Sequence, residues 1–234
     1  MTDTLGYRSI VGVMTPAMNT VVQPELESLR PPGVTNQMQR FRLGGDRISD
    51  DLDSEAVRLM DCHPAALAIG LTTDAGPGGV RKLQERCRGL ASSLGVPVFN
   101  ASTACHTALR RLDARRISIV TPFDADTSRV VAGNAADAGF TVAAVAGTDA
   151  PSLPEICETP PEDIEAAFRE VAASDCDAIL QVGTALPVCS LIASLEALTG
   201  KPVVACNAAL YWQTLRHLGI TDPIDGFGRL LAEH

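Results

Sequence analysis

Short apolar runs alternate with amphipathic stretches along the whole chain. The apolar runs contain few polar positions, which is typical of strands buried on both faces of a sheet. They predict strands at Ile10–Met14, Gln37–Leu43, Ala66–Leu71, Val96–Phe99, Ile117–Val120, Val142–Val145, Ala178–Val182 and Pro202–Ala205. The amphipathic stretches predict helices at Thr20–Ser28, Asp51–Cys62, Val80–Leu94, Thr103–Leu112, Asp126–Ala138, Pro161–Ala173, Val188–Leu198 and Ala208–Leu218. Because strands that alternate with helices of this length form βαβ units, the pattern predicts an α/β fold with largely parallel sheets.

The order of these elements repeats within the chain. The dipeptide Thr15-Pro16, at the end of the first predicted strand, returns as Thr121-Pro122, 106 positions later. The segment that begins at Gly95 with the sequence GVPV returns at Gly200 as GKPV, 105 positions later. Matched offsets of this kind predict that the chain consists of two pseudo-equivalent halves.

The repeat also predicts where the halves divide and where a ligand binds. The first half would hold residues 1–112 together with residues 218–234, and the second would hold residues 113–217. Ligands of open α/β sheets bind beyond the carboxyl ends of the strands. We therefore expect the strand ends of both halves to face one cleft.

Composition and charge exclude several classes of partner. The chain has 234 residues, of which 46% are apolar, so it can bury a substantial core. A net charge of −9 disfavours nucleic acid or an anionic membrane as the main partner. The apolar runs are far shorter than the ~18 residues that a membrane-spanning helix needs, and the first ten residues lack the apolar core of a secretory signal.

The seven cysteines indicate the compartment in which the protein works. Their spacing is irregular, and it includes neither a CxxC pair nor the Cys and His pattern of a zinc site. We therefore expect free, mostly buried thiols in a cytoplasmic protein that has no metal centre.

Candidate binding residues follow the first and third predicted strands. After the first come Pro16 and the polar Asn19, which either caps the next helix or binds a carboxylate with its amide. After the third come Thr72, Thr73 and Asp74, within a turn rich in glycine. The two hydroxyls can donate to an anion or to a developing enolate, and Asp74 is either a base or the cap of the next turn.

The second half carries comparable residues. Gly183 and Thr184 form the turn equivalent to that at Thr72, so Thr184 is expected opposite the first-half hydroxyls. Cys206 directly follows the last predicted strand, where it is either a buried small residue or a nucleophile or base at a helix N-terminus. Cys105 and His106 are adjacent on one helix, so their side chains point in different directions and are not expected to form a pair.

Several of these stretches, taken together, span nearly the whole chain in order. They resemble the maleate isomerase and arylmalonate decarboxylase branch of the aspartate/glutamate racemase superfamily. The matching stretches are Thr15–Glu25 (TPAMNTVVQPE), Gly70–Thr73, Ser102–Ala104, Thr121–Asp124, Gly200–Val204 and Gly226–Leu231. The resemblance implies two pseudo-symmetric Rossmann-like halves, each a mostly parallel sheet flanked by helices, with the active site in the cleft between them.

The resemblance also implies chemistry. It suggests work without a cofactor on a carbon acid or an activated alkene, with a small carboxylate as substrate, in a homo-oligomer. Thr72 and Thr73 match hydroxyls that cradle a substrate carboxylate, and Asn19 matches a carboxylate-binding amide. By the same resemblance, Pro16, Phe123, Gly183 and Thr184 are expected to line the pocket.

The chain departs from the family's pattern at the positions of the catalytic side chains. The two cysteine positions of the racemases and isomerases fall on Leu71 and Gly183. The tyrosine expected after Thr-Pro is Phe123, and an expected asparagine is Leu153. Racemisation by two bases, and addition of a cysteine to a double bond, both need a group that is absent from these positions.

Three interpretations follow. We expect a cofactor-independent isomerase or lyase of a small carboxylic acid, whose catalytic groups are Thr73, Thr184 and a substitute base, either Asp74 or a relocated Cys206 or Cys189. The first alternative is a hydrolase of a small amide, lactone or ring, in which the threonines form an oxyanion hole and Asp74 or His106 activates water. The second alternative is a non-catalytic binder of small acids.

Overall fold

Two four-stranded parallel sheets form the framework of the computed structural model, which describes residues 3–44, 47–48, 51–72 and 78–234. In chain order the strands are β1 (Ser9–Pro16), β2 (Val34–Phe41), β3 (Leu43–Gly44), β4 (Arg47–Ile48), β5 (Ala66–Ile69), β6 (Val98–Asn100), β7 (Arg116–Thr121), β8 (Thr141–Gly147), β9 (Ala178–Gln181) and β10 (Val203–Ala205). The strand orders are β2-β1-β5-β6 and β10-β9-β7-β8, so each sheet places its first strand between its second and third. The two sheets therefore share one topology, which confirms the predicted α/β fold of two similar halves.

Helices follow the long strands and cover the sheets. They are α1 (Val22–Ser28), α2 (Asp51–Leu59), α3 (Gly79–Leu94), α4 (Ala101–Arg111), α5 (Ala125–Asp137), α6 (Pro161–Ala172), α7 (Ile192–Thr199), α8 (Cys206–His217) and α9 (Arg229–Glu233). Each predicted strand and helix is present, with ends that differ by a few residues. The predicted helix at Val188–Leu198 begins instead as a 3-10 turn, Cys189–Leu191. The short hairpin β3–β4 and the short helix α9 were not predicted.

The core is shared between the halves. Helix α8, which follows the last strand of the second sheet, packs against α4, α1 and strands β5 and β6 of the first half. Helix α4 in turn contacts β10 of the second sheet. One hydrophobic cluster consequently runs from Val11 through Ala108 to Ile117 and Leu210. A second cluster covers the outer face of the first sheet and includes Phe41 and Leu83.

The C-terminal segment contacts both halves. Asp222 accepts two hydrogen bonds from the guanidinium of Arg8, at 2.6 and 2.7 Å. The backbone N–H of Arg229 donates to Oε2 of Glu196, in the second half, at 3.0 Å. The predicted boundaries, and the assignment of residues 218–234 to the first half, therefore stay predictions.

The cysteines agree with the sequence analysis. All seven are free thiols; Cys62 and Cys157 are partly exposed and the others are buried. In the part of the chain that the structure describes, no helix is long and apolar enough to cross a membrane.

Candidate active site

The strand ends of the two halves meet at Thr184. Its hydroxyl donates to the backbone carbonyl of Gly70, just after β5, at 3.2 Å. The same hydroxyl oxygen accepts a hydrogen bond from Nδ2 of Asn19, just after β1, also at 3.2 Å. Asn19 is 4% exposed and Thr184 is 7% exposed. The structure thus joins two of the expected pocket residues across the boundary between the halves.

Asn19 also holds the start of α1. Its Oδ1 accepts from the backbone N–H groups of Val21 and Val22, at 2.8 and 2.9 Å. Asn19 therefore fixes the turn that leads into α1, although the cap position of the helix is Val21, and this role is compatible with a binding role. Among the described residues, the amide uses only one of its two N–H groups, the one that reaches Thr184.

The other first-half residues are placed less completely. Pro16 is the last residue of β1 and is buried. Thr72 is 5% exposed, and its backbone carbonyl accepts a hydrogen bond from the hydroxyl of Ser102 at the start of α4. Thr73 and Asp74 lie outside the described residues, so the structure says nothing about their expected roles.

Gly183 has no room for a side chain. Its φ is +114°, and a Cβ atom at this position would lie 2.6 Å from both Cδ and Cγ of Pro122. The ring of Phe123 is the next neighbour, with its Cζ 3.7 Å from the same point. The proline ring fills the space where the resemblance places a cysteine side chain, and Phe123 provides an apolar wall beside it.

A substitution tests this close contact. We expect Gly183→Ala to lower the free energy of unfolding by about 3 kcal/mol, because the new methyl group would overlap Pro122 and a positive φ disfavours any side chain. Urea denaturation measures the change. Gly133→Ala is the matched control, since Gly133 lies in α5 with open space around it and should be neutral or slightly stabilising. Equal stability of the two variants would contradict the contact.

The two candidate thiols are deeply buried. Sγ of Cys206 lies 3.5 Å from Oε1 of Gln181, and burial, reinforced by the charge of Glu25, raises the pKa of Cys206 to about 12. Burial and the same carboxylate raise the pKa of Cys189 well above its ordinary value. Both thiols are therefore protonated at neutral pH, which disfavours either of them as a ready base.

Alkylation tests the state of the thiols. We expect iodoacetamide at pH 8 to label the folded protein only at the partly exposed Cys157 and Cys62, without loss of activity. Mass spectrometry of the labelled protein, with a Cys157→Ser variant for comparison, identifies the sites. Inactivation that accompanies labelling of Cys189 or Cys206, and that substrate prevents, would instead establish a relocated thiol.

Glu25 is a residue of the site region to which the sequence analysis assigned no role. Its Oε1 accepts from the backbone N–H groups of Val188 and Cys189, at 2.8 and 2.7 Å, and its Oε2 accepts from Nδ2 of Asn207 at 2.7 Å. Nδ2 of Asn207 also donates to the carbonyl of Thr184 at 2.9 Å. Glu25 therefore connects α1 to the second half and, through Asn207, fixes the turn that carries Thr184.

Burial also changes the acidity of the Glu25 carboxylate. It raises the pKa of Glu25 above its ordinary value, although the hydrogen bonds from Asn207, Cys189 and Val188 act in the opposite direction. Glu25 does stand in the matching stretch Thr15–Glu25, which is the one signal that could have drawn attention to it.

The remaining candidate residues bring no charged side chain to the site. Leu71 is partly buried, and Leu153 is 51% exposed in the segment after β8. His106 is half-buried on α4, and burial, with a smaller effect of Arg110, lowers its pKa to about 4. Across the described ranges, no three His, Cys, Asp or Glu side chains are grouped so that they could hold a metal ion.

Comparison with known proteins identifies the family. The family model described as arylmalonate decarboxylase matches residues 43–231. The chain belongs to this family. A maleate isomerase of Nocardia farcinica is 24% identical over 245 residues, which cover 98% of this chain and 97% of that protein. The arylmalonate decarboxylase of Bordetella bronchiseptica is 29% identical over 202 residues, which cover 81% of this chain and 80% of that protein.

Solved structures of this decarboxylase family and its neighbours share the fold. The maleate isomerase Iso of Pseudomonas putida S16 superposes with a TM-score of 0.86 at 22% identity, covering 96% of this chain and 98% of that one. A structure of arylmalonate decarboxylase gives a TM-score of 0.82 at 22% identity, covering 96% of this chain and 100% of that one. The family and these relatives support an isomerase or lyase and do not favour the hydrolase or the non-catalytic binder.

Proposed function

We propose that the protein is a lyase that removes carbon dioxide from a small malonate-type acid, without a catalytic cysteine. The observation that carries this proposal is the arrangement at the joined strand ends. Asn19 keeps one amide N–H there that can donate to a ligand, and Thr184 orients this amide, while the neighbouring Gly183 has its side-chain space filled by Pro122. The described part of the site therefore offers a donor that stabilises negative charge and, at Gly183, no thiol that could attack carbon.

Among the chemistries of the relatives, decarboxylation needs the fewest protein groups. A solved maleate cis-trans isomerase of Nocardia farcinica, with a TM-score of 0.84 at 23% identity, holds a covalently bound succinylcysteine intermediate, so that protein uses a cysteine as nucleophile. Cleavage of a carbon–carbon bond next to a second carboxylate needs instead an electron sink and donors that stabilise it. The described residues provide such a donor, and they place no cysteine as a nucleophile at the joined strand ends.

The proposed reaction proceeds in two steps. The bond between the α carbon and one carboxylate breaks, carbon dioxide leaves, and the electron pair passes to the retained carboxylate as an enediolate. A proton from water then forms the new C–H bond, so a malonate dianion and water give a monocarboxylate and bicarbonate. The second amide N–H of Asn19 and the hydroxyl of Thr72 would hold the retained carboxylate, and Thr184 would orient that amide. Phe123 would face the leaving group, whose charge is disfavoured beside an apolar wall.

Two expected residues enter the proposal on the sequence alone. Thr73 would add a second hydroxyl beside Thr72, and Asp74 would be a proton donor or base. Cys206 is not given a role as a base, because its thiol is buried and its pKa is raised to about 12.

Proton NMR in D₂O tests the proposal directly. The purified protein is incubated with 2-alkylmalonates and 2-arylmalonates, and separately with maleate, small amides and lactones. We expect a malonate to disappear while its monocarboxylate appears with deuterium at the α carbon. Conversion of maleate to fumarate without malonate turnover would overturn the lyase assignment in favour of an isomerase. Opening of an amide or lactone alone would overturn both.

A further inference from the structure

His106 is held by ring packing rather than by hydrogen bonds. Its ring centroid lies 5.5 Å from that of Phe140, and the guanidinium carbon of Arg110 lies 5.3 Å from the centroid of the same phenylalanine ring. Within the ranges that the structure describes, neither imidazole nitrogen has a hydrogen-bond partner. The nitrogens of this half-buried ring are therefore available to water.

Two cavities meet at His106. The smaller has a volume of about 30 Å³, and its polar lining comes from Thr72, Ser102, His106 and Asn134. The rest of its lining is apolar, so these four side chains are the partners for the water, about two molecules, that this volume can hold. The larger cavity, of about 520 Å³, lies between α3, α4 and α5 and shares His106 and Asn134 with the smaller one. The imidazole thus stands between an open cavity and the buried strand end at Thr72.

We propose that His106 is a proton-relay residue, which passes protons from water in the larger cavity, through water in the smaller cavity, to the hydroxyl of Thr72. The inference rests on the decarboxylation proposed above, and it adds the route by which the final proton reaches the substrate. In the proposed reaction that proton comes ultimately from water.

The relay balances as a chain of single transfers. Thr72 gives its hydroxyl proton to the α carbon, whose electron pair was released by loss of carbon dioxide. A water in the smaller cavity restores the proton of Thr72, and the imidazole N–H restores that of the water. The other ring nitrogen takes a proton from water in the larger cavity, so the ring changes tautomer without changing charge. The hydroxide left there combines with carbon dioxide to give bicarbonate.

The charge state of the ring suits this role. Because its pKa is lowered to about 4, chiefly by burial, His106 is neutral at pH 7. A neutral imidazole carries one N–H donor and one bare nitrogen acceptor, and both are needed for transfer through the ring.

Two variants separate a relay from a packing role. His106→Phe keeps a ring against Phe140 but has no nitrogen, and we expect kcat for a 2-arylmalonate to fall at least ~10-fold while KM changes less than about twofold. His106→Ala leaves a space open to the larger cavity, so added imidazole should raise the kcat of this variant several-fold and leave His106→Phe unchanged. His217→Phe is the matched control, because His217 packs edge-on against Phe99 at 5.1 Å and lines neither cavity. It should keep its kcat within about twofold of wild type.

The outcomes are distinct. Unchanged kcat in His106→Phe, or no response of His106→Ala to imidazole, would overturn the relay while leaving the decarboxylation intact. Absence of malonate turnover by the wild-type protein would overturn the proposed function itself. Since the alanine variant retains no ring, imidazole rescue decides the question even if the phenylalanine variant folds poorly.

Discussion

Thr184→Val is expected to lower kcat/KM for malonate decarboxylation by about 100-fold or more, because the amide of Asn19 loses the acceptor that orients it, and a misplaced donor to a developing oxyanion has about the effect of a missing one. Valine has nearly the shape of threonine, so the turn between β9 and α7 should keep its backbone. The substitution removes the hydroxyl that joins Asn19 to the carbonyl of Gly70. Steady-state kinetics, with deuterium incorporation as a second readout, measures the loss.

Thr184→Ser provides the control for this prediction. Serine keeps the hydroxyl and loses only a methyl group, so its activity should stay within about tenfold of wild type. The unfolding free energy of Thr184→Val should fall by about 1–2 kcal/mol, because the amide of Asn19 loses an acceptor. A valine variant that decarboxylates at the wild-type rate would remove Thr184 from the site.

Glu25→Ala is expected to lower the free energy of unfolding by about 3–5 kcal/mol, the largest stability effect that we predict. The substitution leaves three donors without an acceptor, namely the backbone N–H groups of Val188 and Cys189 and the amide of Asn207. Each unsatisfied donor at a buried interface costs about 1–3 kcal/mol. Urea denaturation followed by circular dichroism measures the change.

Glu27→Ala is the matched control for Glu25. Glu27 lies on the same helix, but it faces solvent, and its ion pair among the described residues is with Arg30, at 2.9 Å. A surface pair of this kind contributes about 0–1 kcal/mol, so this variant should resemble wild type. Similar stability of the two alanine variants would show that Glu25 does not connect the halves in solution.

The sequence predicted the parts of the structure that depend on local pattern. Each long strand and helix follows from an apolar or amphipathic run, and parallel strands place their carboxyl ends on one edge of a sheet. That rule predicted that the strand ends of both halves face one cleft, with Thr184 opposite Thr72 and Thr73. The contact of Thr184 with Asn19 was not predicted. The hairpin β3–β4 escaped prediction because two-residue strands are too short to show a periodicity.

Contacts between distant segments could not be predicted in this way. The partners of Glu25 lie 163 to 182 positions away in sequence, and no local signal links a carboxylate on α1 to Val188 or Asn207. The overlap of Pro122 with the side-chain space of Gly183 likewise depends on how two strand ends pack together. A resemblance between sequences indicates that a cysteine is missing, and only the packing shows that its place is taken.

The reciprocal packing of α4 and α8, each against the other half, is the geometry of a symmetric dimer that has been joined into one chain. In a dimer of identical subunits, both walls of a shared site must carry the same residues. A single chain is free of that constraint, and here the two walls differ. The position equivalent to Asn19, 106 residues later, is Ala125, and the position equivalent to Phe123, 106 residues earlier, is Ala17. The amide stands on one wall only and the aromatic ring on the other only, so the fusion suits a substrate whose two ends are chemically unlike.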